Sequence, residues 1–220
     1  MRGVAFAVVL FTALTSAAVF LPPGQVIYVD QNAGPIQTGS HLLPFADIQQ
    51  AIDAAAPGAT IRIAVGYYTP FTVSKRLHLQ GASIDNVRVV SDNGSPSAVT
   101  ADGAVIEGIT FLGPGEDGAP AGEGLRIEQS QSVLVLSCKF PFFATGVDVQ
   151  DSDVTLSASI LEYGVTGALV RGDAVLHASA NLIVNNETGV DCAGGEMESC
   201  DDLIDGDKVD ISDSCAPPGY

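Results

Sequence analysis

Two groups of charged residues in this 220-residue chain are candidates for a binding or catalytic site, and the first group mixes opposite charges. Two guanidinium groups occur among carboxylates and an amide, in the set Arg126, Glu128, Asp148, Gln150, Arg171 and Asp191. Such arginines could neutralise a carboxylate on a ligand or act as the base of an elimination reaction. The simpler interpretation is a solvated ladder of charges in which Arg126 pairs with Asp148, an interaction that contributes well under ~1 kcal/mol.

The second group is a run of acids near the C-terminus, in which Lys208 is the only base. Its nine acids are Asp191, Glu196, Glu198, Asp201, Asp202, Asp205, Asp207, Asp210 and Asp213. Oxygen-rich loops of this kind favour calcium, for which Asp205, Asp207 and Asp210 are the candidate ligands. Their spacing does not match an EF-hand loop, so a solvated acidic tail is the simpler interpretation.

The histidines His41, His78 and His177 are scattered along the chain. No Cys/His metal spacing accompanies them, and the sequence does not assemble a Ser–His–acid set around any of them. We therefore expect surface or structural roles for the three side chains.

A repeat in the second half of the chain predicts where the mixed-charge residues lie. A glycine followed by an apolar–x–apolar triplet recurs at intervals of 22, 21 and 22 residues, at Gly124, Gly146, Gly167 and Gly189. A second register, six residues before the last three of these glycines, holds Phe140, Leu161 and Ile183. Coils of about 22 residues cannot bury their own apolar edge, so they are expected to stack in parallel around a shared interior. The glycines are expected at tight bends, where they accept a positive φ.

The same register assigns the polar residues to outward columns. The middle residues of the triplets form one column, which holds Arg126, Asp148, Leu169 and Asp191. The next outward column holds Glu128, Gln150 and Arg171. If the protein has a binding surface, this strand face is where we expect it.

The predicted fold is all-β, a single-stranded right-handed parallel β-helix of about six coils. The Gly/Pro-rich segment 113–124 is expected to be a loop inserted into one coil. Ile48, Ala51, Ile52 and Ala55 fall at i, i+3, i+4 and i+7, which predicts an N-terminal capping helix. A β-sandwich with regularly spaced turns is the alternative.

The first 18 residues resemble an export signal, with Arg2 before the apolar run 4–14 and Ser16-Ala17-Ala18 as a cleavage site. An uncleaved anchor is the alternative, but the apolar run is short for a membrane span. The predicted organisation is a signal peptide at 1–18, a strand, loop and capping helix at 19–59, the β-helix at 60–192, and an acidic Cys-containing cap at 193–220.

The net charge of −17, from 26 acids and 9 bases, argues against a nucleic-acid partner, because phosphate binding needs a basic face. It would also repel an acidic polysaccharide unless calcium or a local basic patch offset the field.

The four cysteines suit an oxidising compartment. Cys138 and Cys192 are predicted to face inward, more than two coils apart and too far from each other for a disulfide. We expect Cys200 to pair with Cys215 and to hold the acidic tail, while a Cys192–Cys200 pair remains open.

The segments 44–55, 57–61, 65–68 and 77–81 together resemble the opening of the pectin-lyase-like superfamily. Members begin with a pattern close to PF-x-TIQ-x-AID-AA-x-x-GD-TI, and the match covers some forty residues here. The superfamily includes polysaccharide lyases, polygalacturonases, pectin esterases, phage tailspikes and bacterial surface proteins without known activity. The resemblance implies a right-handed β-helix that binds glycans along one strand face.

The motifs of the enzymatic branches are not matched. The Asn-Thr-Asp and Gly-His-Gly segments of polygalacturonases are absent, and the Asp201-Asp202 pair lies in the tail. Gln150-Asp151 matches one pair of the pectin esterases without their Asp-Phe-Ile-Phe-Gly run.

We therefore expect a secreted or cell-surface, non-catalytic binding or structural module for carbohydrate. The alternatives are a small polysaccharide lyase or glycoside hydrolase acting on an acidic polysaccharide, and the N-terminal half of a longer protein. Calcium is the one cofactor that the sequence indicates.

Overall fold

A computed structural model describes residues 24–92, 94–212 and 215, so the predicted signal peptide lies outside the described residues. Parallel strands form three sheets that run along the molecule, and each coil contributes one strand to each sheet. Sheet 1 contains β1 (Val26–Val29), β2 (Thr60–Ile63), β5 (His78–Gly81), β8 (Val105–Glu107), β11 (Val133–Leu136), β14 (Asp153–Ser157), β17 (Val175–Ser179) and β20 (Glu196–Cys200). Sheet 2 contains β3 (Gly66–Tyr68), β6 (Val87–Val90), β9 (Thr110–Leu112), β12 (Lys139–Pro141), β15 (Ile160–Glu162), β18 (Leu182–Val184) and β21 (Leu203–Asp205). Sheet 3 contains β4 (Thr72–Val73), β7 (Ser97–Val99), β10 (Glu123–Glu128), β13 (Thr145–Gln150), β16 (Thr166–Arg171), β19 (Thr188–Ala193) and β22 (Val209–Ile211).

The predicted register is confirmed by the strand pairing. In sheet 2, Phe140 lies opposite Leu161, which lies opposite Ile183. Phe111, one coil earlier, stacks on Phe140 with ring centroids 5.0 Å apart. All four side chains are buried. The apolar columns therefore form one continuous interior, which is the main source of stability in a stack of short coils.

The glycine column in sheet 3 has a different cause from the one expected. Gly124, Gly146, Gly167 and Gly189 are not among the glycines with positive φ. They lie inside strands, where the backbone of the next coil passes very close: a Cβ on Gly146 would sit 2.7 Å from the carbonyl oxygen of Gly167. The expectation of tight bends was wrong, and it is lack of space between coils that requires glycine here.

Buried polar side chains satisfy the backbone where each coil turns from sheet 1 to sheet 2. The N–H of Cys138 donates to Ser159 Oγ at 3.1 Å, and the N–H of Ser159 donates to Asn181 Oδ1 at 2.9 Å. The N–H of Asn181 donates in turn to Asp202 Oδ1 at 2.8 Å. This ladder pairs amides that the interior would otherwise leave without a partner.

The predicted helix is present as α1 (Ile48–Ala54), with Asp47 as N-cap accepting from the backbone N–H of Gln50. Its apolar face, Ile48, Ala51 and Ile52, is buried. The helix lies against β1, β2 and β4. A 3₁₀ helix, Pro114–Asp117, occupies the predicted insertion between β9 and β10.

The coils number about seven rather than about six, because they continue past residue 192. Strands β20, β21 and β22 form a further coil in the stretch where the sequence predicts a C-terminal cap. Met197 and Ile204 occupy inward positions and pack on the core. Met197 lies between Glu196 and Glu198, and Ile204 lies between Asp202-Leu203 and Asp205, so the surrounding acids conceal the apolar alternation in the sequence.

The expected Cys200–Cys215 disulfide is wrong, and so is the alternative Cys192–Cys200, because Cys215 is bonded to Cys192. Strand β22 ends at Ile211, opposite Val190, and the chain then brings Cys215 over the inward-facing Cys192, with their Cα atoms 4.7 Å apart. Cys138 is buried as a free thiol.

The part of the chain that the structure describes contains no helix long and apolar enough to cross a membrane.

Candidate functional site

The mixed-charge residues lie on the outward face of sheet 3, in the columns that the repeat predicts. Arg126 lies opposite Asp148, Asp148 opposite Leu169, and Leu169 opposite Asp191. In the neighbouring column, Glu128 lies opposite Gln150, and Gln150 opposite Arg171. The pairing places five of the candidate residues together, whereas Leu169 separates Asp191 from them.

Asp148 is the centre of this face. Its neighbours Val147 and Val149 point into the core, so its own side chain points outward, yet that side chain is only 1% exposed. Arg171 covers it from the next coil and donates from Nε to Oδ1 at 2.9 Å and from Nη2 to Oδ2 at 2.5 Å. A bidentate, charge-assisted ion pair of this kind is among the strongest polar contacts that a protein makes.

Arg126 lies near Asp148, as expected, but this is the longest of the three ion-pair distances that Arg126 makes on this face. Arg126 Nη2 lies 2.6 Å from Glu123 Oε2, while Arg126 Nε lies 3.6 Å from Glu128 Oε1 and 3.8 Å from Asp148 Oδ2. Glu123 was not predicted as a partner, because strict alternation would place its side chain on the face of the strand opposite Arg126. Both Gly124 and Leu125 are buried, so alternation breaks there and Glu123 returns to the outer face.

The hydrogen bonds to Asp148 raise the pKa of Arg171 above its ordinary value. The guanidinium is therefore held in its charged form, which is the opposite of what a base in an elimination reaction requires. This face carries a net charge of −1, because it holds three acids, Glu123, Glu128 and Asp148, and two bases, Arg126 and Arg171. This face does not form a basic patch.

The remaining members of the set also have partners. Gln150 Nε2 donates to Asp151 Oδ2 at 3.4 Å, and Ser212 Oγ donates to Asp191 Oδ1 at 2.8 Å. The outward face of sheet 3 is therefore a surface on which the polar groups largely bind one another.

The predicted calcium ligands do not assemble into a metal site. Asp205 belongs to sheet 2 and Asp210 to sheet 3, while Asp207 lies in the turn between them and accepts a hydrogen bond from the backbone N–H of Asn186. Among the residues described, no three His, Cys, Asp or Glu side chains are arranged to hold a metal ion.

Two of the histidines pair with acids on the outer face of sheet 1. His78 Nε2 lies 2.8 Å from Glu107 Oε2, and His177 lies between Asp153 at 3.3 Å and Glu198 at 3.0 Å. The third, His41, lines a cleft that the sequence did not predict.

This cleft has a volume of about 470 Å³ and opens on the outer face of sheet 1 near β1, β2 and β5. We call it the sheet 1 cleft, and its side-chain wall consists of Tyr28, Asp30, His41, Pro44, Arg62 and Gln80. The rings of Tyr28 and His41 meet edge to face, with centroids 4.9 Å apart. These residues were missed because they come from four separate segments with no shared motif.

Comparison with known proteins gives matches at the level of structure. No protein-family model and no curated protein sequence matches the chain. The ORF18 protein of Geobacillus virus E2 matches with a TM-score of 0.62 and 14% identity, over 80% of this chain and 40% of the viral one. A pectin methylesterase from Aspergillus niger matches with a TM-score of 0.53 and 17% identity, over 82% of this chain and 68% of the enzyme.

This chain therefore spans well under two thirds of the viral protein, and identities this low establish only a shared fold. The strand pairing and these two structures together show that the chain has a right-handed parallel β-helix fold.

Proposed function

We propose that this protein is a secreted, non-catalytic β-helix that binds carbohydrate, with the outward face of sheet 3 as a ligand surface. The observation that carries the proposal is the ion-pair network around Asp148, in which two arginines and three acids bind one another. A general base needs a free lone pair at neutral pH, and a general acid needs a proton that it can release. Asp148 is buried under Arg171, and Arg171 is held protonated, so neither fits these roles.

The same network supports a binding role. Although the charged groups bind one another, the side chains of Arg126 and Arg171 remain 34% and 37% exposed, so their remaining N–H groups can donate to a ligand from positions that the ion pairs hold in place. Because the face carries a net negative charge and the whole chain a charge of −17, an uncharged glycan fits it better than an acidic one.

Secretion is part of the proposal. The Cys192–Cys215 disulfide suits an oxidising compartment, and the sequence of residues 1–18 has the features of an export signal. We also propose that α1 closes the N-terminal end of the core, since its apolar face is buried against the first strands.

A glycan array carrying neutral and acidic oligosaccharides tests this function. The wild type is compared with a variant in which Arg126→Gln and Arg171→Gln are combined with Asp148→Asn, so that no buried carboxylate is left without a cation. Binding by the wild type that the triple variant loses supports the sheet 3 face, and binding that the variant keeps removes this face from the proposal.

The second candidate is a polysaccharide lyase that acts through the arginines of the same face. It predicts the release of unsaturated uronates from acidic polysaccharides, which ultraviolet absorbance detects, with and without added calcium. We expect no release above a heat-denatured control, and release that disappears in the triple variant would overturn the non-catalytic proposal.

A further inference from the structure

The sheet 1 cleft differs from the sheet 3 face in how its polar groups are used. On sheet 3 the charged side chains bind one another. In the sheet 1 cleft, the hydroxyl of Tyr28, the imidazole of His41 and the guanidinium of Arg62 make no hydrogen bond or ion pair to any other group within the described residues. Three polar side chains that converge on one concave surface are therefore free to bind a ligand.

Space for a ligand comes from small residues at the ends of two strands. Ala64, Gly81 and Ala82 line the bottom of the cleft with backbone and methyl groups. A volume of about 470 Å³ lies within the range of roughly 300–1,000 Å³ that is typical of small-molecule sites.

The wall of the cleft is both aromatic and polar. Tyr28 and His41 stand at an interplanar angle of 86° and form a corner of two rings, with Pro44 beside them. Arg62 supplies donors, Asp30 supplies acceptors, and the Gln80 amide supplies both. A sugar ring needs this combination, because its C–H face packs on apolar and aromatic groups while its hydroxyls both donate and accept.

The charge of the cleft favours a neutral ligand. Arg62 and Asp30 contribute one charge of each sign. Residues 24–112 carry seven acids and four bases, whereas residues 113–220 carry nineteen acids and four bases, so most of the negative charge lies in the C-terminal coils. The cleft is therefore placed at the less acidic end of the molecule, without an excess of positive charge that would select an anion.

We propose that the sheet 1 cleft binds a neutral pyranose unit of an oligosaccharide, with Arg62 as the main hydrogen-bond donor and Tyr28 and His41 as the ring-binding wall. The inference rests on the proposed function for the class of ligand, but it places the contact on a different sheet and at the N-terminal end of the stack, whereas the sheet 3 face lies on the central strands β10, β13 and β16.

Isothermal titration of the mature chain with neutral β-linked tetrasaccharides of glucose, xylose, mannose and N-acetylglucosamine tests the proposal. Arg62→Ala is expected to weaken binding at least about ten-fold, because the ligand loses hydrogen bonds to a charged donor. Tyr28→Phe removes one hydroxyl and is expected to weaken binding by a smaller factor. The matched control is Arg76→Ala, which removes another exposed arginine outside the cleft and should leave affinity unchanged.

The outcomes separate this inference from the proposed function. Weaker binding in Arg62→Ala with normal binding in Arg76→Ala supports the cleft. Binding that is unaffected by Arg62→Ala but lost in the sheet 3 triple variant overturns the cleft and leaves the proposed function standing. Binding only to uronate-containing glycans overturns the neutral ligand, and binding to no glycan overturns both proposals. Thermal unfolding of each variant checks that it is folded. We expect Arg62→Ala to fold normally, because Arg62 is exposed and its loss leaves the core intact.

Discussion

Arg171 donates two hydrogen bonds to Asp148 across neighbouring coils, and these hold a carboxylate that is only 1% exposed. The two residues are not direct partners in the strand pairing, since Asp148 lies opposite Leu169 and Arg171 opposite Gln150. Arg171 reaches Asp148 diagonally, and in doing so it satisfies the one acid on this face that solvent does not reach.

Removing Arg171 is therefore expected to destabilise the fold more than the loss of a surface ion pair would. Arg171→Ala leaves a buried carboxylate without its main partner, which costs about 2–4 kcal/mol in the free energy of unfolding. Urea unfolding followed by circular dichroism measures the change. Adding Asp148→Asn should restore most of the loss, and Arg76→Ala should have little effect. Equal losses in the single and double variants would contradict the assigned pairing.

The glycine column of sheet 3 predicts a second destabilising change. A Cβ on Gly146 would lie 2.7 Å from the backbone oxygen of Gly167, so Gly146→Ala forces two coils apart and is expected to cost about 1–3 kcal/mol. The control is Gly34→Ala, where a Cβ would meet nothing within 4 Å. If both variants unfold at the same urea concentration, close approach between coils is not what requires glycine at position 146.

Asp207 predicts a pH-dependent change in stability. Within the part of the chain that the structure describes, its Oδ2 is buried without a hydrogen-bond partner, and burial raises the pKa of this carboxyl above its ordinary value. The folded state therefore holds this proton more tightly than the unfolded state. Stability falls as pH rises from the unfolded to the folded pKa, and the cost persists at higher pH.

Asp207→Asn should consequently be more stable than the wild type at pH 7, by about 1 kcal/mol, and should lose this advantage below about pH 4. Asn186, one coil earlier, shows how an amide fits such a site, since its Nδ2 donates to the carbonyls of Leu161 and Val184 at 3.1 and 3.2 Å. Thermal unfolding across this pH range measures the difference. Asp173→Asn, at an exposed acid, is the charge-matched control, and a similar pH-dependent gain in that variant would refute the explanation by burial.

The free thiol of Cys138 is expected to be unreactive in the folded protein. Burial raises its pKa to about 12, so almost no thiolate is present at pH 8, and solvent does not reach the sulfur. In a Cys200→Ser background, a disulfide-exchange reagent followed by absorbance should detect one thiol only after guanidinium is added. Rapid reaction of one thiol in the native protein would show that Cys138 is accessible.

The Cys192–Cys215 disulfide should stabilise the last coil. It closes a loop with a sequence separation of 23, and its loss in Cys192→Ala/Cys215→Ala is expected to cost about 3 kcal/mol. Non-reducing peptide mapping identifies the bond directly. A peptide that links Cys200 to Cys215 would contradict the pairing found here, and Cys200→Ala is the control that should leave stability nearly unchanged.

The repeat alone was sufficient to predict the β-helix and its register. Regular spacing of Gly124, Gly146, Gly167 and Gly189 and of the buried Phe140, Leu161 and Ile183 was enough, because burial follows the alternation along each strand and each coil has nearly the same length. The same alternation predicted correctly that Arg126 and Asp148 lie opposite one another.

Which side chains bind one another followed only from the three-dimensional packing of the coils. Alternation states on which side of a strand a residue lies, but not how far a side chain reaches along or across coils. For this reason three contacts were not predictable. They are the ion pair of Arg126 with Glu123, the diagonal ion pair of Arg171 with Asp148, and the disulfide between Cys192 and Cys215. The sheet 1 cleft was not predictable either, because strand pairing places Tyr28 opposite Arg62 but only the path of the loop between β1 and α1 brings His41 to the same cleft.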